Sequence, residues 1–191
     1  MLKKAFLGLF LLVFSCLAPA HEMESKPTKV AIYIQPQDYN YELRLNYYSI
    51  GYWYSQGPML EAAAVKVLGQ DFKEVAMCDE SPSSAKVLVW LRPRMFYNPQ
   101  VQTFYAKVLA YAYTPDGKPL GNFVGKAEQH GFLDIKPELH LQAAYQGAVQ
   151  DFSTKMQADA KFQAALNAAG GALPCATTAL LPEPKIQFMG F

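Results

Sequence analysis

The stretch KVLVWLRPRMFYNPQVQTFYAKVLAYAYTPDGKPLGNFVGKAE, residues 86–128, decides the fold. It holds three runs rich in β-branched and aromatic residues: Lys86 to Tyr97, Val101 to Tyr113 and Leu120 to Glu128. Asn98-Pro99-Gln100 separates the first pair and Pro115-Asp116-Gly117-Lys118 the second, both of them turn-forming sequences. Strands joined by such short turns pair antiparallel, so the spacing predicts a three-stranded meander. Pro93 interrupts the first run and removes one ladder N–H, which a sheet accepts only at an edge or a bulge. A bulge is expected there.

On the N-terminal side, Lys29 to Gln35 reads as the first strand, ended by Pro36. Leu60, Ala63, Ala64, Val67 and Leu68 fall on one face of a helix over residues 58–70, with Pro58 suited to its first turn. Phe72 to Met77 is a short strand ending at Cys78, and residues 80–84 form a polar loop. Beyond the meander, Leu141, Tyr145, Ala148, Val149, Phe152 and Met156 make one stripe of a long helix from Pro137 to Ala169, stopped by Gly170-Gly171. The stripe should cover the sheet. The expected fold is an α+β two-layer sandwich, a mainly antiparallel sheet of four to five strands packed against two helices. One domain over residues 29–175 follows, between a polar lead at 21–28 and a partly extended tail at 176–191.

The 191 residues carry 17 basic and 16 acidic side chains, a net of +1, which argues against a nucleic-acid binder. At 51% hydrophobic and 17% charged, the chain is too apolar to be disordered and long enough to bury a sizeable core.

Met1-Leu2-Lys3-Lys4, the apolar run Ala5 to Phe14 and Leu17-Ala18-Pro19-Ala20 have the three-part plan of a secretory signal peptide over residues 1–20. The apolar run is shorter than the roughly 20 residues a spanning helix needs, so no transmembrane helix is expected. Cleavage after Ala20 leaves 15 basic against 16 acidic residues and a periplasmic protein. A competing reading takes Val13-Phe14-Ser15-Cys16 as a lipobox, with Cys16 lipidated and the product an outer-membrane lipoprotein; Phe14 departs from that pattern. Under either reading the chain is exported and keeps Cys78 and Cys175, an even pair in an oxidising compartment. A Cys78–Cys175 disulfide is expected.

The least ordinary segment is Asp38 to Gly57, which carries Tyr39, Tyr41, Tyr47, Tyr48, Tyr52, Trp53 and Tyr54. Tyrosine and tryptophan join an apolar face to a polar tip, which suits contact surfaces and stacking on sugar rings. The same residues could instead cover one end of the sheet, and the alternation Tyr41, Leu43, Leu45, Tyr47 allows an extra strand with one buried face. Arg92 and Arg94 share a strand face with Trp90 and Phe96, where stacking or anion contact is open to them.

His130, Asp134 and His140 have no recognised metal-ligand spacing, no cofactor is called for, and no nucleophile elbow, zincin motif or phosphate loop is present. No catalytic residue is assigned. Cleavage after Ala20 would expose His21 as an N-terminal residue able to chelate copper, which resembles the start of copper-dependent polysaccharide monooxygenases and small periplasmic copper carriers. That gives an alternative function, a periplasmic copper protein or enzyme.

The signal peptide, the strand Lys29–Gln35 feeding the helix Pro58–Gln70, the hairpins at Asn98-Pro99 and Pro115-Asp116-Gly117 and the closing helix together resemble a class of small periplasmic proteins and outer-membrane lipoproteins. These assist envelope assembly as polysaccharide-export, lipopolysaccharide-assembly and synthase-activator accessories. The resemblance is architectural and brings no residue-level motif. It implies a non-catalytic bacterial envelope accessory that binds an envelope protein or a glycan polymer, with the Tyr39–Tyr54 segment as the expected contact.

Overall fold

The structure, a computed structural model, describes residues 29–78, 85–168 and 174–181. A five-stranded sheet runs in the order β4-β1-β5-β6-β7. Its strands are β1 (Val30–Ile34), β4 (Val75–Met77), β5 (Val87–Asn98), β6 (Thr103–Tyr113) and β7 (Pro119–His130). β5, β6 and β7 form the expected antiparallel meander. β1 lies parallel between β4 and β5 and is buried on both faces, which is why its sequence is an unbroken apolar run. The α+β sandwich read from the sequence is the fold observed.

Alternation sorts the strand residues between two layers. Val30, Ile32, Val87, Val89, Leu91, Phe104, Ala106, Val108 and Ala110 face the main core. There they meet α2 (Gln56–Asp71) and α3 (Pro137–Gln157). All five stripe residues predicted on α2 and all six on α3 are buried. Gly125 of β7 permits the closest approach of α3: a Cβ there would stand 1.8 Å from the Ala148 carbonyl oxygen. α3 also covers the outer edge of β7. Asp151 accepts a hydrogen bond from the Lys126 backbone N–H at 2.9 Å, and Lys155 Nζ donates to the Val124 carbonyl at 2.8 Å. Those two groups would otherwise offer a template for another strand.

The opposite, outer layer is a smaller cluster of Ala31, Ala85, Leu88, Trp90, Tyr111 and Tyr113. A 3-10 helix over Pro174–Leu180 lies against it, with Cys175 and Leu181 packed on the cluster and Cys175 joined to Cys78 by the predicted disulfide. The expected extended tail is therefore helical over its first residues.

Three further expectations need correction. Pro93 sits in continuous register opposite Val108 with no bulge; β1 ends opposite Leu91, so the proline lies where β5 has no sheet partner on that side. The register irregularity falls at Ala112/Tyr113 instead. The long C-terminal helix is two helices, α3 and α4 (Ala160–Asn167), because Asp159 caps a new start by accepting hydrogen bonds from the Lys161 and Phe162 N–H groups. A straight helix would carry Phe162 roughly 240° around from Met156. The break instead turns Phe162 inward against Phe72 and Phe123, with ring centroids 6.1 and 6.4 Å away. Phe72 is thus no strand residue but the buried cap of α2.

Candidate functional site

The aromatic segment folds into a short helix α1 (Pro36–Tyr39) and a two-stranded hairpin, β2 (Glu42–Tyr47) and β3 (Ile50–Ser55). The sequence alternation had allowed one extra strand; two form. The hairpin is firmly rooted. Asp38 receives the Arg92 Nε–H at 2.8 Å and lies 3.8 Å from Arg94 Nη1. On α1's other side, the Tyr39 hydroxyl donates to Glu61 of α2 at 2.7 Å. That bond to a carboxylate, with burial, raises the Tyr39 phenol above its ordinary pKa. Gly57 is required where α2 begins, since a Cβ would stand 2.3 Å from the Tyr39 carbonyl oxygen. Gln56 beside it is buried and accepts the Tyr145 hydroxyl at 2.8 Å.

Register divides the hairpin's faces. Leu43 pairs with Tyr54, Leu45 with Tyr52 and Tyr47 with Ile50, while Arg44 pairs with Trp53 on the other face. Leu45 and Tyr54 are buried, and Leu43, Tyr47 and Tyr52 pack half-buried on the main core. Burial, reinforced by the nearby Glu138 carboxylate, pushes the Tyr54 phenol up to about 12. On the outward face Trp53 is 60% exposed, with the Arg44 guanidinium 5.6 Å from its ring centre. Gly51 makes room for that arginine, a Cβ there falling 2.5 Å from Arg44 Nε.

At the tip, Tyr48 is 75% exposed and holds a φ of 51°, left-handed backbone that a bulky residue adopts only at a cost. Tyr41 and Ile50 are exposed as well. A groove of about 300 Å³ separates the hairpin from the far end of β5, lined by Arg44, Leu45, Tyr48, Met95, Phe96 and Tyr97 among others. The seven predicted contact residues therefore split. Tyr54 is core, Tyr39, Tyr47 and Tyr52 are largely occupied by the fold, and Tyr41, Tyr48 and Trp53 face solvent together with Ile50, which sequence reasoning did not single out.

Among the other residues singled out, Arg92 and Arg94 do share the outer sheet face with Trp90 and Phe96, but both meet Asp38. His130 Nδ1 is 2.9 Å from Thr103 Oγ1, and the His140 ring stacks on Phe104. Among the described residues no three His, Cys, Asp or Glu side chains are placed to hold one metal ion. No described helix is long and apolar enough to cross a membrane. Cys16, His21 and the signal-peptide residues lie outside the described part of the chain.

The sequence matches no protein-family model and no curated protein. Among solved structures it is similar to a DUF330 protein of Xanthomonas campestris, at 14% identity and a TM-score of 0.47, over 77% of this chain and 91% of that one. It is also similar to PelC of Paraburkholderia phytofirmans, solved as a dodecamer, at 14% identity and a TM-score of 0.43, over 67% of this chain and 88% of that one. At these values the likeness does not extend to function.

Proposed function

We propose that this protein is an exported accessory of the bacterial cell envelope that binds a protein or polymer partner without catalysing a reaction, and that it does so through the large side chains left exposed on the β2–β3 hairpin and at Tyr41 just before it. The observation that carries the reading is a set of four large side chains, Tyr41, Tyr48, Ile50 and Trp53, left in solvent on an element otherwise pinned to the core. A rigid support and exposed aromatic anchors are what a contact surface needs, because little side-chain entropy is lost on docking. At the tip the Tyr48 ring stands edge-on to Tyr47, centroids 4.8 Å apart, so the turn holds it in a fixed place while most of its surface stays in solvent. The disulfide supports export, since such bonds persist in oxidising compartments.

Two experiments test the reading. Intact-mass analysis of the protein from its native envelope should give a chain beginning at His21 or a lipidated one beginning at Cys16; a full-length unprocessed chain would refute export. A Tyr41→Ala, Tyr48→Ala, Trp53→Ala variant should lose co-purification with its envelope partner while melting like the wild type. Retained co-purification would refute the hairpin as the contact.

A further inference from the structure

Where β7 hands over to α3, the molecule carries an apolar surface that the hairpin reading does not use. After His130 the chain turns through residues 131–136 into α3. The Gly131 N–H donates to the Gln102 carbonyl at 2.8 Å, which holds the β5–β6 turn beside this loop. The core fixes the loop from within: Leu133 is fully buried, and the Tyr97 hydroxyl donates to the Gly131 carbonyl at 3.3 Å. Phe132 and Ile135 on the loop, Leu139 on the first turn of α3 and Val101 on the neighbouring turn are nevertheless 42–60% exposed. With roughly 150–250 Å² in a large side chain, the four present on the order of 400 Å² of apolar surface. A patch of that size, about 300–600 Å², is the largest a typical monomer shows, and it is often functional. Asp134, Lys136 and Glu138 alternate with these residues, are exposed, and form no ion pair among the described residues.

We propose that this surface pairs with the same surface on a second copy of the chain, giving a two-fold dimer. The charges carry the choice of partner. Their signs run minus, plus, minus along one short segment, so the surface is complementary to itself. A two-fold axis beside Ile135 would set Lys136 of each copy opposite Asp134 of the other, two ion pairs flanking one apolar contact. An anionic bilayer would instead meet two carboxylates against one lysine and be repelled. The area agrees with a pair of copies. Interfaces are about 60% apolar, so on the order of 400 Å² of apolar surface implies roughly 1,300 Å² buried by two copies, within the roughly 1,200–2,000 Å² of specific interfaces. None of the side chains assigned to the hairpin contact takes part, so the test can fail without touching that reading.

Sedimentation velocity of the exported chain, with its disulfide intact, measures the pairing from low to high micromolar concentration. The mass should pass from one chain to two. Ile135→Ser with Leu139→Ser should weaken pairing at least about tenfold, whereas Trp53→Ala should leave it unchanged. Lys136→Glu makes the charges of the segment wholly acidic, and Asp134→Lys with Glu138→Lys makes them wholly basic. Each of these variants alone should pair at least about tenfold more weakly than the wild type, and an equimolar mixture of the two should recover the dimer. Melting temperatures check that the variants are folded. A wild type that stays monomeric throughout, or pairing indifferent to the Ile135 and Leu139 changes, would overturn the proposal. So would a mixture that fails to pair, or an assembly larger than two chains. A monomer that floats with phosphatidylethanolamine–phosphatidylglycerol vesicles would also overturn it, assigning the surface to lipid.

Discussion

Tyr54 and Trp53 are neighbours on one strand, yet they should respond to truncation in opposite ways. Tyr54 is 9% exposed and sits among Leu43, Leu45 and the helices, so Tyr54→Ala removes a buried ring from the main core. An aromatic side chain buries on the order of 200 Å², and at about 25 cal/mol per Å² the loss is roughly 4–5 kcal/mol, close to the 3–5 measured for large aromatic truncations. At roughly 2–4 °C per kcal/mol for a domain of this size, the melting temperature should fall by about 10 °C or more. Trp53, 60% exposed, gives up its cation–π contact with Arg44, about 0.5–1 kcal/mol at an exposed site. Its melting temperature should move by no more than about 4 °C. Thermal denaturation of the two non-reduced single variants, followed by circular dichroism, measures both. Equal losses, or a larger loss for Trp53→Ala, would show that the hairpin faces have been assigned the wrong way round.

Gly125→Ala should destabilise by about 3 kcal/mol or more, because α3 must lift off the sheet to clear the Ala148 carbonyl. Gly69→Ala, at a helix position with nothing within 4 Å, should stabilise by roughly 0.5–1 kcal/mol; calorimetry that found one sign for both would refute the packing described. Reducing Cys78–Cys175 opens a loop spanning a sequence separation of 97, for which chain entropy gives at most about 4–5 kcal/mol, so denaturant midpoints should drop markedly with reductant. Stability should also decline as pH rises from about 10 toward 12: the Tyr54 phenol is raised from 10.0 to about 12 in the fold, so above pH 10 the unfolded chain ionises first and is favoured. Burial also raises the Tyr145, Tyr97, Tyr111 and Tyr113 phenols, so Tyr54→Phe should make that part of the profile shallower without removing the decline, and urea titrations at pH 8 and 11 would detect the difference.

The meander, both apolar helix stripes and the disulfide were legible because each rests on local periodicity or on a forced pairing of two cysteines. Pro93 misled because sequence shows a missing donor but not that β1 stops at Leu91, leaving that side of β5 without a sheet partner. The break after α3 falls in an alanine-rich run whose helix propensity is high on both sides of Asp159. Its capping role appears only once Phe162 has a core to reach. The parallel insertion of β1 between β4 and β5 is a long-range choice that no local pattern encodes. For the candidate site, the alternation Tyr41, Leu43, Leu45, Tyr47 allowed one extra strand with a buried face, but nothing local showed the second strand or its pairing with the first. The grip of Asp38 on Arg92 joins residues 54 positions apart and had no signal in either segment.

The claim that the hairpin is the contact surface is tested most directly by placing a photo-crosslinking amino acid at Trp53, at Tyr48 and, as a control on the exposed side of α2, at Val65 in the native bacterium. Irradiation should give an adduct of defined mass, stable to reduction, from positions 53 and 48 and none from 65. No adduct at the two hairpin positions, or the same adduct at all three, would contradict it.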